Sequence, residues 1–259
     1  VRRTGHEHRL DDMDRLAALG ARRARVPVLW ERVAPGRLED ADFSWSDSRL
    51  DRLTRLGVDP IVGLVHHGSG PAWTSLADES FVAGLAAYGA RVAERYPFVE
   101  LFTPVNEPLT TARFSGLYGH WYPHARSTPA FLHLLVNQVC GVRAAMRAIR
   151  RVTPSARLVQ TEDFGRTFST PALAYQSHYE NLRRWLSFDL LFGRVGRQHP
   201  LRDHLEEHGI AARLLHVLEA DDLGAGDDPL AAQRGQPEGL LPVARVGPDG
   251  ARGQLCQLR

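Results

Sequence analysis

The sequence has 259 residues, of which 43% are hydrophobic and 24% charged, and these proportions are typical of a globular chain with a sizeable core. The formal net charge is only +2, so composition predicts neither a nucleic acid nor a membrane surface as partner. No apolar run has the length of a membrane span, and no signal peptide is recognisable.

The two cysteines, Cys140 and Cys256, are far apart in the sequence and do not form a disulfide framework. Free thiols are typical of a reducing compartment. We therefore predict a cytoplasmic location.

Strand-like and helix-like segments alternate over the first four-fifths of the chain. Apolar residues at helical spacing predict helices near 10–19, 46–56, 81–92 and 128–149, with Ser46 as the cap of the second. Short apolar runs predict strands at 24–30, 61–65, 99–105 and 157–161. These strands begin roughly 35–55 residues apart, as in parallel α/β folds. No glycine-rich fingerprint follows a strand, so we predict a closed (β/α)₈ barrel rather than a dinucleotide-binding sheet.

The second half of the sequence is less regular. Aromatic and apolar residues predict helical packing between positions 165 and 218, at Tyr175, Tyr179, Trp185, Phe188, Leu191 and Phe192. No aromatic residue follows Phe192, and the final segment is rich in Gly, Pro, Asp, Gln and Arg. Such a composition buries too little apolar area to offset the entropy of ordering. We predict a partial barrel domain at 1–218 and a loosely ordered tail at 219–259.

Polar side chains lie in or directly after each predicted strand. They are Arg25, the pair His66 and His67, the pair Asn106 and Glu107, and the pair Glu162 and Asp163. Active sites of parallel barrels are built at the C-terminal ends of the strands. Each pair alone is also typical of an ordinary loop entrance, but together they predict a polar site on one rim.

The segment Asn106-Glu107-Pro108 carries the most specific chemistry. Cleavage of a glycosidic bond requires a proton on the leaving oxygen, which a carboxylic acid can supply. The neighbouring amide can bind the sugar 2-hydroxyl, a contact that strengthens in the transition state. An ordinary Asn-Glu-Pro turn is the alternative for the tripeptide taken alone.

Four segments resemble family 1 glycoside hydrolases. They are RVPVLWERVAPG from Arg25, LVHHGSGP from Leu64, TPVNEP from Thr103 and GLYGHWYP from Gly116. The first departs from the family pattern because Pro35 directly precedes Gly36. The similarity covers roughly residues 10–165 and is greatest to the glycosidase-like half of bacterial proteins that join such a barrel to a dTDP-4-dehydrorhamnose reductase.

The resemblance implies a carbohydrate substrate, no cofactor and a role for each residue of the rim. Glu107 becomes the acid/base and Asn106 the ligand of the 2-hydroxyl. Arg25 is expected to hold the nucleophile carboxylate by a charge-assisted hydrogen bond. His66 or His67 is expected to bind a hydroxyl of the nonreducing sugar. The aromatic candidates for stacking on sugar faces, for which plain packing is the alternative, are Trp73, Trp121 and Tyr122.

The second carboxylate of a retaining glycosidase is not recognisable in the sequence. In the family it is a Glu at the end of strand seven, and no Glu here has that context. Glu162 follows the strand that we count as the fifth, so a substrate or supporting role is the better prediction for it. The first strand is also absent, so the resemblance implies an incomplete barrel of strands two to five with flanking helices. We expect a fragment, and a shifted reading frame is one explanation for the composition of 219–259.

Two functions and one further site remain open at this point. The first function is a hydrolase of the β-glucosidase type, and the second is a noncatalytic sugar-binding barrel that serves a fused or partner sugar-nucleotide reductase. The further site is a metal centre at the histidines near positions 6–8, 66–67 and 120–124. Neighbouring histidines of a strand point to opposite faces, and no HExxH or CxxC spacing occurs. We therefore predict no metal.

Overall fold

The structure is a computed structural model that describes residues 3–210. The chain forms two units, which are divided between Gln160 and Thr161. The division falls inside the range 1–218 that we predict as a single partial-barrel domain. The predicted tail at 219–259 lies outside the described residues.

The first unit contains a sheet of four parallel strands in the order β1-β2-β3-β4. The strands are β1 Arg23–Pro27, β2 Asp59–Val65, β3 Leu101–Val105 and β4 Arg157–Leu158. The register pairs Val26 with Val62 and Val65 with Val105, so the C-terminal ends of the first three strands lie side by side. The predicted parallel α/β sheet is confirmed.

The fourth strand is shorter than the predicted range 157–161. The chain nevertheless continues beside β3 after the strand ends. The amide of Val159 donates to the carbonyl of Phe102 at 2.8 Å, and the hydroxyl of Thr103 donates to the carbonyl of Val159 at 2.7 Å. Beyond Leu158, one side-chain hydrogen bond and one backbone hydrogen bond take the place of the regular hydrogen-bond ladder between β3 and β4.

Helices connect and cover the strands of the first unit. They are α1 Asp12–Ala18, α2 Trp30–Val33, α3 Ser44–Arg55, α4 Glu79–Arg95, α5 Pro108–Ala112, a π-helical turn Arg113–Leu117 and α6 Thr128–Val152. Asp78 and Ser127 cap α4 and α6 by accepting a backbone N–H. The predicted cap at Ser46 is wrong, because α3 begins at Ser44 and Ser46 is buried within it.

The core of the first unit is built around Trp30. Its ring is 1% exposed and stacks on Tyr88 at a centroid distance of 5.9 Å. The hydroxyl of Tyr88 donates to the carbonyl of Val28 at 2.9 Å, directly after β1. This bond joins α4 to the loop that follows the first strand, and it therefore supports the rim on which the polar residues lie.

The second unit contains, within its described part, a 3₁₀ turn at Pro171–Leu173 and three α-helices. The α-helices are α7 Ala174–Arg183, α8 Leu186–Leu191 and α9 Arg202–Glu207. Phe188 and Leu191 are buried as predicted, whereas Tyr175 is 71% and Trp185 49% exposed. The prediction of a packing anchor is wrong for Tyr175, whereas the half-exposed ring of Trp185 packs against that of Phe164 at 4.9 Å between centroids. None of the helices in residues 3–210 is both long and apolar enough to cross a membrane.

Candidate active site

Glu107 lies at a sharp turn between β3 and α5. The amide of Asn106 still donates to the carbonyl of Val65 at 2.9 Å, which continues the sheet by one residue. Glu107 then adopts φ 45° and ψ 63°, the left-handed conformation that most side chains avoid. Pro108 starts α5, and its fixed φ suits the first helical position. Backbone strain of this kind clusters at functional sites, so the turn supports a special role for Glu107.

A chain of hydrogen bonds fixes the amide of Asn106, which is 3% exposed. Arg25 donates from Nη1 to Oδ1 of Asn106 at 2.7 Å. The amide nitrogen of Asn106 lies 3.4 Å from Nε2 of His67, and Nδ1 of His67 lies 2.9 Å from the hydroxyl of Thr111. Because Arg25 can only donate, Oδ1 must face it and the NH₂ group must face His67. Three strand ends and α5 thus orient one amide.

The imidazole of His67 is neutral near pH 7. Burial, followed by the charges of His66 and Arg25, lowers the pKa of His67 to about 4. Burial and Arg25 also lower the pKa of His66, although Glu107 opposes this. Since Asn106 donates to Nε2, the proton of His67 lies on Nδ1 and points to Thr111. The 3.9 Å approach of His67 to Oε2 of Glu107 is therefore a contact with a neutral ring and not an ion pair.

His66 and His67 lie side by side, contrary to the prediction that they point to opposite faces. The centroids of their rings are 4.5 Å apart with an interplanar angle of 57°. The strand β2 ends at Val65, so neither histidine follows the alternation of a strand. His66 is exposed while His67 is half-buried.

Aromatic rings lie next to this polar group. The ring of Trp121 is 4.9 Å from that of His67 and stacks on Phe114 at 4.7 Å. Tyr122 is 60% exposed, and Trp73 is 51% exposed with its edge against Trp30 at 5.5 Å. The structure thus brings Trp121 to the group around Glu107, whereas Trp73 takes part in the packing around Trp30.

Glu162 belongs to the second unit and is half-exposed. It lies beyond the end of β4 rather than directly at a strand end, because that strand ends at Leu158. A substrate-binding or supporting role for Glu162 stays a prediction.

Two supporting residues escaped the sequence analysis. Thr111 holds His67 and is fully buried, and its amide donates to the carbonyl of Glu107 at 3.0 Å. Gln160 is 4% exposed, and its side chain donates to the carbonyl of Val105 at 3.0 Å, just before the turn. The spacing of Thr111, one helical turn after Glu107, was the available signal; nothing in the sequence singled out Gln160.

The similarity of this chain to known proteins is a similarity of fold. No family model and no curated protein sequence matches the chain. Among solved structures, the β-glucosidase from Thermotoga maritima in complex with deoxynojirimycin aligns with a TM-score of 0.69 and 16% identity, over 82% of this chain and 51% of that chain. The chain shares the fold of these β-glucosidases.

Two further structures give the same result. The same enzyme in complex with cyclophellitol aligns with a TM-score of 0.70 and 18% identity, over 83% of this chain and 51% of that chain. The virulence factor SghA, in complex with its substrate analogue salicin, aligns with a TM-score of 0.67 and 18% identity. This alignment covers 82% of this chain and 49% of that chain. The chain thus spans about half the length of the structures that it matches.

Proposed function

We propose that the first unit carries the acid/base half of a retaining β-glycosidase site, with Glu107 as the proton donor. The observation that carries this proposal is the hydrogen-bonded arrangement of Arg25, Asn106 and His67 at adjacent strand ends. In this arrangement Nε2 of His67 lies 3.9 Å from Oε2 of Glu107. Support comes from the shared fold and from the carbohydrate-like ligands bound in the similar structures, such as deoxynojirimycin and salicin.

The site performs its chemistry by positioning and proton transfer. Glu107 protonates the departing glycosidic oxygen as the bond breaks through an oxocarbenium-like state, and the anomeric carbon passes to the nucleophile carboxylate that the intact family supplies, from which water releases the sugar. The side-chain NH₂ group of Asn106, oriented by Arg25 and lying next to His67, is the donor that we assign to the sugar 2-hydroxyl. Both nitrogens of His67 already have partners, so we assign the contact with an outer sugar hydroxyl to the exposed His66. Trp121 and Tyr122 provide faces for stacking.

The arrangement of Arg25 adds to this assignment. Its guanidinium group, which carries five N–H donors in total, donates to Asn106. The residue is exposed to solvent. We propose that it also binds the nucleophile carboxylate, as the resemblance to family 1 implies, and that Glu162 contributes to substrate binding. An incomplete (β/α)₈ barrel of strands two to five with flanking helices, and a cytoplasmic location, belong to the same proposal.

The second candidate is a noncatalytic sugar-binding barrel that serves a fused or partner sugar-nucleotide reductase. The observation that favours it is the lack of a Glu in a strand-seven context anywhere in the sequence. A retaining mechanism requires such a nucleophile about 5 Å from the acid/base.

Turnover of 4-nitrophenyl β-glucoside and binding of deoxynojirimycin separate the two candidates. For the hydrolase, Glu107→Gln lowers kcat by about 10²–10⁴-fold while inhibitor binding persists. The matched control is Glu94→Gln, an exposed carboxylate on α4, which leaves both unchanged. Binding without turnover in the unaltered chain favours the noncatalytic barrel. Absence of both turnover and binding contradicts the proposed site.

A further inference from the structure

The second unit brings two histidines and one glutamate together at the end of a helix. His204 lies within α9, Glu207 is its last residue and His208 follows it. One ligand atom from each of the three side chains lies within 4.8 Å of the other two. Residues 3–210 contain one cluster of three such side chains, and it is this one.

The spacing explains why these side chains meet. Residues four apart on a helix lie one above the other, and residues three apart are nearly so. The rings of His204 and His208 are 4.4 Å apart between centroids. This segment reads His-x-x-Glu-His and not HExxH or CxxC, so the prediction of no metal, which rested partly on those two spacings, did not consider it.

We propose that His204, Glu207 and His208 form a binding site for a divalent transition-metal ion of the zinc type. A tetrahedral ion with bonds of about 2.1 Å holds its ligand atoms roughly 3.4 Å apart. Small side-chain rotations bring atoms within 4.8 Å to that spacing. Two imidazoles and a carboxylate suit Zn²⁺ rather than Ca²⁺ or Mg²⁺, which prefer oxygen ligands throughout.

A neighbouring tyrosine supports the arrangement. The hydroxyl of Tyr179 on α7 lies 3.2 Å from Nε2 of His204, and the two rings meet edge to face at 5.3 Å. An outer partner on one nitrogen orients an imidazole for metal binding through the other. With Tyr179 beside Nε2, we assign Nδ1 of His204 as the atom that would bind the ion. Three protein ligands leave a fourth position for water, so the ion can exchange with solution. The inference rests on the second unit alone and does not depend on the proposed role of Glu107.

Zinc titration in competition with a chromophoric chelator tests the site in the full chain. We expect one Zn²⁺ per chain at the tightest site, and a loss of affinity of at least about tenfold in His208→Ala and in Glu207→Gln. Glu207 is exposed, so Glu207→Gln keeps the fold and allows a clear result. The matched control is His178→Ala, an exposed histidine on α7, which leaves the affinity unchanged.

Chemical modification locates the ion independently. Zinc is expected to protect His204 and His208, but not His178, from diethylpyrocarbonate, and millimolar Mg²⁺ is expected to give no protection. Equal zinc affinity in the unaltered chain and in Glu207→Gln and His208→Ala, or protection of other histidines instead, overturns the proposal. Zinc need not change glycosidase turnover, because the zinc site and the glycosidase site are separate proposals.

Discussion

The left-handed backbone at Glu107 makes a quantitative prediction about stability. An L-residue in this conformation costs roughly 1–2 kcal/mol, which glycine avoids. Glycine costs about 0.5–1 kcal/mol more than alanine at an ordinary position because its unfolded chain has more freedom. At φ 45° the first effect is the larger one. We therefore expect Glu107→Gly to be about 0.5–1 kcal/mol more stable than Glu107→Ala.

The comparison between glycine and alanine removes the effect of losing the carboxylate, since both variants lack it. The control is Arg113, which has an ordinary helical φ of −61°. There the glycine variant is expected to be less stable than the alanine variant by about 1 kcal/mol. Urea unfolding followed by circular dichroism measures all four variants. A glycine variant at position 107 that is destabilised as much as at position 113 refutes the assigned strain.

Two further predictions concern His67 and the packing of Trp30. The pKa of His67 in the fold, about 4, lies below its ordinary value near 6.5, so its contribution to stability is complete above pH 6.5 and is lost as the pH falls towards 4. With a quarter of the side chain exposed, we expect a loss of about 2 kcal/mol that is absent in His67→Gln, measured by urea unfolding across that pH range. In Gly84→Ala the new Cβ would lie 2.7 Å from Cζ2 of Trp30, and we expect this overlap to lower the free energy of unfolding by about 1–3 kcal/mol. The control is Gly36→Ala, in which the new Cβ meets nothing within 4 Å and no change is expected. Thermal unfolding measures both variants.

Much of the sheet could be predicted because its strands are buried and apolar. The runs at 61–65 and 99–105 correspond closely to β2 and β3, which are covered by helices and carry few polar side chains. The early end of β4 at Leu158 could not be predicted, because one hydrogen bond from the side chain of Thr103 and one from the amide of Val159 continue the pairing in place of a regular ladder. Such bonds depend on residues distant in sequence.

The residue types of the candidate site could be predicted from the sequence, because the chemistry requires particular side chains. Its geometry and protonation could not, because they depend on packing. Asn106 and Glu107 could be selected as an amide beside a carboxylic acid at a strand end. The neutral state of His67 depends on burial and on the charge of Arg25, neither of which a local motif reveals. The cluster on α9 was visible as histidines four residues apart, but only the structure shows Tyr179 beside it.

Proton donation by Glu107 is tested most directly by kcat/KM for a series of aryl β-glucosides whose phenols differ in acidity. A good leaving group such as 2,4-dinitrophenolate needs no proton, whereas phenol does. If Glu107 donates the proton, Glu107→Gln loses little kcat/KM with the dinitrophenyl substrate and about 10²–10⁴-fold with the phenyl substrate. A loss of equal size across the series, or no loss at all, would contradict proton donation by Glu107.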